Sequence, residues 1–282
     1  MNRQASAPEP ERFEADWLTL REPVDHRSRA HRLAETLAAW WVEAAQGRGT
    51  EVARVVDLGC GTGSNLRYLS RRIPSRQSWT LIDHDPDLLR RVAAPSVSGL
   101  RVTEVHADLE EAVGLHVPAA DLVTASALLD LASEPWLVEL AETAARAEAA
   151  ALLALTYDGS IRWSSHDPDD QGVRDSVNAH QRRNKGLGDG AALGPVAGSV
   201  AEAAFRRLGY RTTLAPSPWR LGPDDTSLTR QLIDGWLRAA VEEEPADRER
   251  WAAWADRRRA SIAREDFELV VGHVDLLALP AR

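Results

Sequence analysis

A turn rich in glycine carries the most specific chemical signal in this chain of 282 residues. A short apolar run ends at Asp57, and Gly59, Gly61 and Gly63 follow at alternate positions before a helical pattern begins. Glycine adopts backbone conformations that a Cβ forbids, and it lets a ligand approach the main chain closely. Turns of this kind between a strand and a helix hold nucleoside cofactors. The segment therefore predicts a cofactor site.

The spacing of these glycines argues against a dinucleotide. The dinucleotide fingerprint reads G-x-G-x-x-G, with the pyrophosphate at the helix N-terminus. Here Gly63 comes one residue early, Ser64 occupies the position of the last fingerprint glycine, and Asp57 adds a negative charge. A cationic cofactor without phosphate groups fits such a site better than a pyrophosphate does.

Two further acids follow apolar runs. Asp83 lies beyond the glycine turn by about the twenty residues at which an acid can accept the ribose hydroxyl protons. It could instead cap the next helix, but Asp85 before Pro86 fits that role better. Asp108 follows a third apolar run, where an ordinary loop residue is the alternative interpretation.

The elements that must position these residues alternate between strand and helix from residue 52 onward. Such alternation is typical of a parallel sheet covered by helices. An additional helix is expected at the N-terminus, over 26–45, with Asp25 as its N-cap. The expected strands cover 52–58, 79–82, 100–106, 120–126, 150–157, 211–215 and 267–279. The other expected helices cover 64–72, 86–93, 134–148, 173–183, 199–208 and two stretches within 227–263.

In these motifs the chain closely resembles class I S-adenosylmethionine (SAM)-dependent methyltransferases. The resemblance covers roughly residues 50–282, with its specific motifs confined to about 52–135. It implies an α/β fold with a Rossmann-like sheet of seven strands, mostly parallel with the last strand antiparallel, and helices on both faces. It also implies SAM as the cofactor and S-adenosylhomocysteine (SAH) as its product.

The resemblance assigns roles to individual residues of the site. Asp83 would hold the ribose, with His84 beside the adenine. Asp108 would accept the adenine amino proton, and the backbone N–H of Leu109 would donate to the ring. Ser126 ends the fourth strand, where the family's fourth motif flanks the methyl group. The expected cofactor contacts are Asp57, Gly59, Cys60, Gly61, Gly63, Asn65, Asp83, His84, Asp108, Leu109, Ser126 and Arg29.

The domain organisation follows from the same patterns. Residues 1–11 are expected to form a disordered tail, and residues 12–49 a helical lid. Residues 50–282 form the expected methyltransferase domain, with an insertion on the substrate side at about 158–199. Arg29 in the lid is a candidate partner for the cofactor carboxylate, because arginine binds carboxylates in a bidentate fork. A solvated helix face is the alternative interpretation for it.

The expected reaction is an in-line displacement at a sulfonium carbon, which depends mainly on alignment and desolvation. A general base is needed only if the acceptor arrives protonated. His166 and His180 are the candidates, since both lie in the insertion and imidazole titrates near neutral pH. The acidic run from His166 to Asp170 could hold Mg²⁺ or Ca²⁺. An acidic turn around Pro168 explains that run better, so no metal is expected.

Composition limits the partners and the location. A net charge of −9 and a pI near 5.4 argue against a nucleic-acid-binding surface. No apolar run is long enough for a membrane span, and no signal segment is evident, so a cytoplasmic protein is expected. Cys60 is the only cysteine, which excludes an internal disulfide.

The interpretation that these observations favour is a methyltransferase acting on a small molecule through an oxygen, nitrogen or carbon acceptor, as a monomer or homodimer. An NAD(P)-dependent oxidoreductase and a non-catalytic SAM-binding regulatory protein are the alternatives.

Overall fold

A single sheet organises the molecule. The structure is a computed structural model that describes residues 14–281, so the predicted tail at 1–11 lies outside the described residues. Eight strands run in the order β3-β2-β1-β4-β5-β8-β6, and β7 pairs with β8. The strands are β1 (Val52–Leu58), β2 (Arg76–Asp83), β3 (Leu100–His106), β4 (Leu122–Ser126), β5 (Ala150–Trp163), β6 (Arg211–Pro216), β7 (Trp219–Leu221) and β8 (Leu269–Leu279).

Helices cover both faces of the sheet and its carboxyl edge. They are α1 (Ala15–Ser28), α2 (His31–Arg48), α3 (Ser64–Leu69), α4 (Pro86–Leu89), α5 (Leu109–His116), α6 (Glu134–Arg146), α7 (Asp170–Gln181), α8 (Ala197–Arg207), α9 (Thr226–Glu243) and α10 (Arg248–Ala263). Within residues 14–281, no helix is both long enough and apolar enough to cross a lipid bilayer.

The strand directions confirm the predicted fold class. Strands β1 to β5 are parallel to their neighbours, whereas β8 is antiparallel to β5 and to β6. This is the Rossmann-like sheet that the resemblance implies, mostly parallel, with β8 as its antiparallel strand. The additional strand β7 covers three residues between Pro218 and Gly222. A segment this short, between two helix-breaking residues, shows no periodic pattern in the sequence. The prediction of seven strands therefore lacks β7.

The N-terminal prediction is wrong in one respect. Two helices replace the single helix expected over 26–45, and Asp25 lies inside α1 instead of capping a helix. Because proline normally interrupts a helix, Pro23 suggests that the N-terminal helix begins after it. Helix α1 continues through Pro23 and ends where the extended backbone of Arg29 begins.

Several other boundaries differ from the expected ranges: β2 begins three residues earlier, at Arg76, and α4 ends four residues earlier, at Leu89. Two further differences concern α5 and β5. Helix α5 was not expected; Asp108 caps it by accepting the Glu110 backbone N–H at 2.8 Å. Strand β5 extends to Trp163, six residues beyond the expected end, because its outer part pairs with β8. The outer part of β5, paired with β8, therefore extends past the carboxyl ends of the parallel strands.

Three buried clusters hold these layers together. One packs α5, α6 and α8 against one face of the sheet, and a second packs α2 and α3 against the other. A third cluster, around Trp251 and Trp254, joins α7, α9 and α10 to the outer parts of β5 and β8. The third cluster and α1 therefore stand above the carboxyl ends of the parallel strands, where the predicted motifs lie.

Candidate functional site

A cleft opens at the carboxyl ends of the parallel strands, where open α/β sheets bind their ligands. It encloses about 1120 Å³, counting its mouth. Helix α1 covers it with Leu18, Arg21 and Asp25, which share one helix face because they are three and four residues apart. The segment after α7 closes another side with Lys185 and Leu187.

The glycine turn forms the floor of the cleft. Gly59 and Gly61 have φ values of 62° and 53°, in the left-handed region that favours glycine. A Cβ at Gly59 would lie 3.0 Å from Leu128 Cδ1, and one at Gly61 would lie 3.0 Å from Leu18 Cδ1. The backbone conformation therefore favours glycine at both positions, and the neighbouring leucine side chains leave little room for a Cβ.

Asp83 ties the end of β2 to this turn. Its Oδ2 accepts the backbone N–H of Gly61 at 2.8 Å, and its Oδ1 accepts that of Asp85 at 2.9 Å. The side chain is buried yet lines the cleft, beside His84. Asp85 in turn caps α4 by accepting the Asp87 N–H, as the sequence predicts. These two hydrogen bonds from the backbone hold the carboxylate of Asp83 in place at the cleft wall.

The structure brings most of the predicted cofactor contacts together at the cleft. Three of them do not line it: Asp57 and Arg29 lie beneath the glycine turn, and Gly63 takes the N-cap position of α3. The predicted residues that do line it are Gly59, Cys60, Gly61, Asn65, Asp83, His84, Asp108, Leu109 and Ser126.

A buried polar network supports the turn from below. Asn65 donates to Asp57 Oδ1 and to Thr124 Oγ1, both at 2.9 Å, and accepts from Arg29 Nη1 at 2.9 Å. Arg29 Nε also donates to Asp275 at 3.3 Å. Two buried atoms of this network, Asp57 Oδ2 and Arg29 Nη2, have no hydrogen-bond partner within residues 14–281. The network therefore contains one hydrogen-bond acceptor and one hydrogen-bond donor without a partner among these residues, and they lie on opposite sides of Asn65.

Burial also changes the acidity of Asp57. Removal from water raises the pKa of this carboxyl to about 7, while the hydrogen bond from Asn65 and the charge of Arg29 oppose the rise. Asp57 is therefore poised between its neutral and charged forms near neutral pH.

Neither candidate base is placed at the cleft. His166 is exposed, and His84 is the only histidine among the residues described that line the cavity. The Nε2 of His180 lies 3.1 Å from Glu242, and its Nδ1 lies 3.3 Å from the Nζ of Lys185. His180 thus contacts a residue that lines the cleft without lining it itself.

The acidic run after His166 pairs with arginines of α10. Asp167 accepts Arg257 Nε at 2.6 Å, and Asp169 accepts Arg250 Nε at 2.6 Å. Asp170 pairs with Arg258. These contacts attach α7 to α10, so the carboxylates have a structural use.

Comparison with known proteins bears on this geometry. Residues 55–149 match the family model of the methyltransferase domain. The glycine turn, Asp83, Asp108 and Ser126 all lie within these matched residues. No curated protein matches the sequence.

Several solved structures are similar over most of the chain. A SAM-dependent methyltransferase from Thiobacillus denitrificans in complex with SAH is 19% identical, with 95% of this chain and 99% of that chain covered and a TM-score of 0.44. A cyclopropane-fatty-acyl-phospholipid synthase-like protein from Lactobacillus casei is 14% identical, with coverages of 92% and 99% and a TM-score of 0.44. The cyclopropane synthase MmaA2 from Mycobacterium tuberculosis is 11% identical, with coverages of 84% and 82% and a TM-score of 0.39.

Sequence reasoning missed the residues that reach the cleft from outside the motifs. On α1 these are Leu18, Arg21 and Asp25, whose helical spacing could have been recognised had the helix not been expected to start after Pro23. After α7 they are Lys185 and Leu187, for which the sequence offers no signal beyond the rarity of lysine.

Proposed function

We propose that this chain is a SAM-dependent methyltransferase that acts on a small molecule. One observation carries the proposal: the carboxylate of Asp83 is fixed against the glycine turn in a cleft that Asp108 also lines. An acid in that position suits a ribose, and the turn itself suits a cofactor without phosphates. The methyltransferase domain match over the same residues supports the choice.

Two buried atoms beneath the glycine turn that lack a hydrogen-bond partner fit the amino-acid part of SAM. Arg29 Nη2 is a buried cationic donor and Asp57 Oδ2 a buried acceptor. A carboxylate would satisfy the first, and an ammonium group the second. We therefore assign Arg29 and Asp57 to the cofactor tail, Asp83 to the ribose, and Asp108 with Leu109 to the adenine. When bound, the cofactor would supply a methyl group on a positively charged sulfur.

The protein's own contribution is alignment and exclusion of water. Leu18 on α1 lies directly over Gly61, and Leu128 covers Gly59. These apolar side chains shield the cleft from solvent, which favours displacement at a charged sulfur. We propose that the N-terminal helices, within residues 12–49, form the lid, and that the insertion at about 158–199 forms part of the acceptor side.

The positions of His166 and His180 support an expectation about the acceptor. Since neither His166 nor His180 lines the cleft, we expect an acceptor whose reacting atom needs no proton transfer to either residue. Replacing each by alanine, one at a time, should leave any proton-transfer step at the acceptor intact.

Titration calorimetry with SAM, SAH and NAD tests the proposal. We expect SAM and SAH to bind and NAD not to bind; binding of NAD alone would favour the oxidoreductase. A second assay follows transfer of a radiolabelled methyl group from SAM to a pool of metabolites. Binding of SAM without any labelled product would favour the regulatory protein instead.

A further inference from the structure

Arg29 is a buried arginine whose guanidinium is held by three neighbouring side chains. Its Nη1 donates to Asn65 Oδ1 at 2.9 Å, and its Nε donates to Asp275 Oδ2 at 3.3 Å. Its Cζ lies 4.5 Å from the centre of the Tyr68 ring, which covers one face of the group. The remaining nitrogen, Nη2, has no hydrogen-bond partner within residues 14–281. The orientation of the guanidinium is therefore fixed while one nitrogen stays able to bind a ligand.

Asp275 supplies the negative charge that Arg29 needs in the interior. The two side chains form an ion pair and are only 2% and 3% exposed, respectively. Asp275 Oδ2 also accepts the backbone N–H of Ala30 at 2.9 Å. A charged group removed from water is costly unless it is paired and hydrogen-bonded. Without this carboxylate, the cost of burying the guanidinium would favour its departure from the network.

The other oxygen of Asp275 is bound to a different part of the fold. Oδ1 accepts the backbone N–H of Leu155 at 2.8 Å and the hydroxyl of Ser217 at 2.7 Å. Leu155 lies on β5, and Ser217 lies between β6 and β7. The carboxylate itself lies on β8, so its position is set by the sheet and not by α1. Asp275 can therefore place Arg29 from the interior of the protein.

The partners of Arg29 connect this interior to the cleft. Asn65 lines the cleft, whereas Asp275 does not. Arg29 donates to both, so it lies between the buried carboxylate and a residue of the ligand site. A change at Asp275 can reach a ligand through the arginine although the carboxylate is remote from the cleft lining.

We propose that Asp275 is a positioning residue of the cofactor site, which holds the Arg29 guanidinium so that Nη2 binds the carboxylate of the cofactor tail. This inference rests on the proposed function, since that function assigns Arg29 to the tail. Asp275 should act on the tail alone, because Asp83 and Asp108 follow β2 and β3 and are placed independently of β8.

Two ligands that differ in the tail test the inference. SAH carries the amino-acid group, whereas 5′-methylthioadenosine keeps the adenosine and the thioether but lacks that group. Calorimetry gives both dissociation constants, and the value for methylthioadenosine divided by the value for SAH is the tail ratio. We expect a wild-type tail ratio of about ten or more, and Arg29→Met should lower it about tenfold by removing a charge-assisted hydrogen bond.

Asp275→Asn removes the charge that holds Arg29. It should lower the tail ratio about tenfold through weaker SAH binding, with the affinity for methylthioadenosine nearly unchanged. In the Arg29→Met background the same substitution should have little further effect on the ratio. An unchanged ratio in Asp275→Asn would refute the inference. A raised ratio would show that Asp275 competes with the cofactor carboxylate for Arg29, which would refute it as well.

Ser217→Ala is the matched control, because it removes a hydrogen bond from Oδ1 and leaves the Oδ2 that faces Arg29. It should lower the urea midpoint and leave the tail ratio unchanged. An equal loss of the ratio in this control would give Asp275 a merely structural role and overturn the inference.

Arg29→Lys tests the positioning without a change at Asp275, and it keeps the test decisive if Asp275→Asn does not fold. The lysine keeps the charge but has a single ammonium group, which we expect to pair with Asp275 instead of the ligand. The tail ratio should therefore fall as in Arg29→Met. A wild-type ratio would show that charge alone suffices, and the positioning role would be wrong.

Failure of the proposed function gives a different pattern. A wild type that binds neither ligand would refute SAM as the cofactor. A wild type that binds both ligands equally, or an Arg29→Met variant with the wild-type ratio, would refute the assignment of Arg29 to the tail. A loss in Arg29→Met without a loss in Asp275→Asn would refute the positioning role alone.

Discussion

The buried carboxyl of Asp57 should make folding stability depend on pH in an unusual direction. Its folded-state pKa of about 7 lies above the reference value of 3.8 because the group is fully buried. The folded state therefore holds the proton more tightly than the unfolded chain between about pH 4 and pH 7. Stability from this group is fully present below the lower value and is lost as the pH rises through the upper one.

The magnitude follows from the two pKa values. At about 1.36 kcal/mol for each pKa unit, the change from 3.8 to about 7 corresponds to about 4 kcal/mol. Asp57→Asn keeps the shape and the acceptor for Asn65 but cannot ionise. We expect its free energy of unfolding, minus that of the wild type, to increase by up to about 4 kcal/mol between pH 4 and pH 8.

Urea denaturation without ligand at pH 4, 5, 6, 7 and about 8 measures this difference. Asp167→Asn is the control of opposite sign, since hydrogen bonds from Arg257 lower the pKa of Asp167 and its contribution is lost as the pH falls. A flat difference between Asp57→Asn and the wild type would refute the reasoning, because it would mean that Asp57 keeps an ordinary pKa in the folded protein.

Three other predictions concern the cleft and its walls. Asp83→Ala should weaken SAH binding by about 1–3 kcal/mol in calorimetry, since it removes the proposed ribose acceptor; unchanged affinity would place the ribose elsewhere. Gly188→Ala should lower the melting temperature more than Gly190→Ala, because both have positive φ but only the Cβ at 188 would lie 2.2 Å from Ser133 Oγ. Equal decreases in melting temperature for the two variants would show that backbone strain alone accounts for the destabilisation. Trp219→Phe should cost about 0.5–1.5 kcal/mol in urea denaturation, since Asp25 loses its indole donor; an unchanged midpoint would show that this bond contributes nothing.

The side of the cleft formed by the strand ends could be predicted because its signals are local. The glycine turn, Asp83 and Asp108 each follow directly after a parallel strand, and parallel strands bring their carboxyl ends to one edge. Alternation of strand and helix therefore sufficed to place residues that are far apart in sequence. Asp108 shows the limit of local reasoning, since its role as the cap of α5 went unrecognised while its place at the cleft did not.

The side of the cleft that α1 forms could not be predicted because it is built by contacts between distant segments. Asp275 on β8 accepts from Arg29 Nε, from the backbone N–H groups of Ala30 and Leu155, and from Ser217 Oγ. One carboxylate thus joins the α1–α2 junction, β5 and the segment before β7.

Nothing in the local pattern around residue 275 distinguishes this acid from a surface residue, yet its hydrogen bonds anchor the junction from which α1 extends over the glycine turn. The residues that α1 presents to the cleft, including Arg21, depend on that anchor. The shape of the cleft on that side is therefore set by the tertiary packing of α1, whereas the glycine turn, Asp83 and Asp108 are placed by the strand ends themselves.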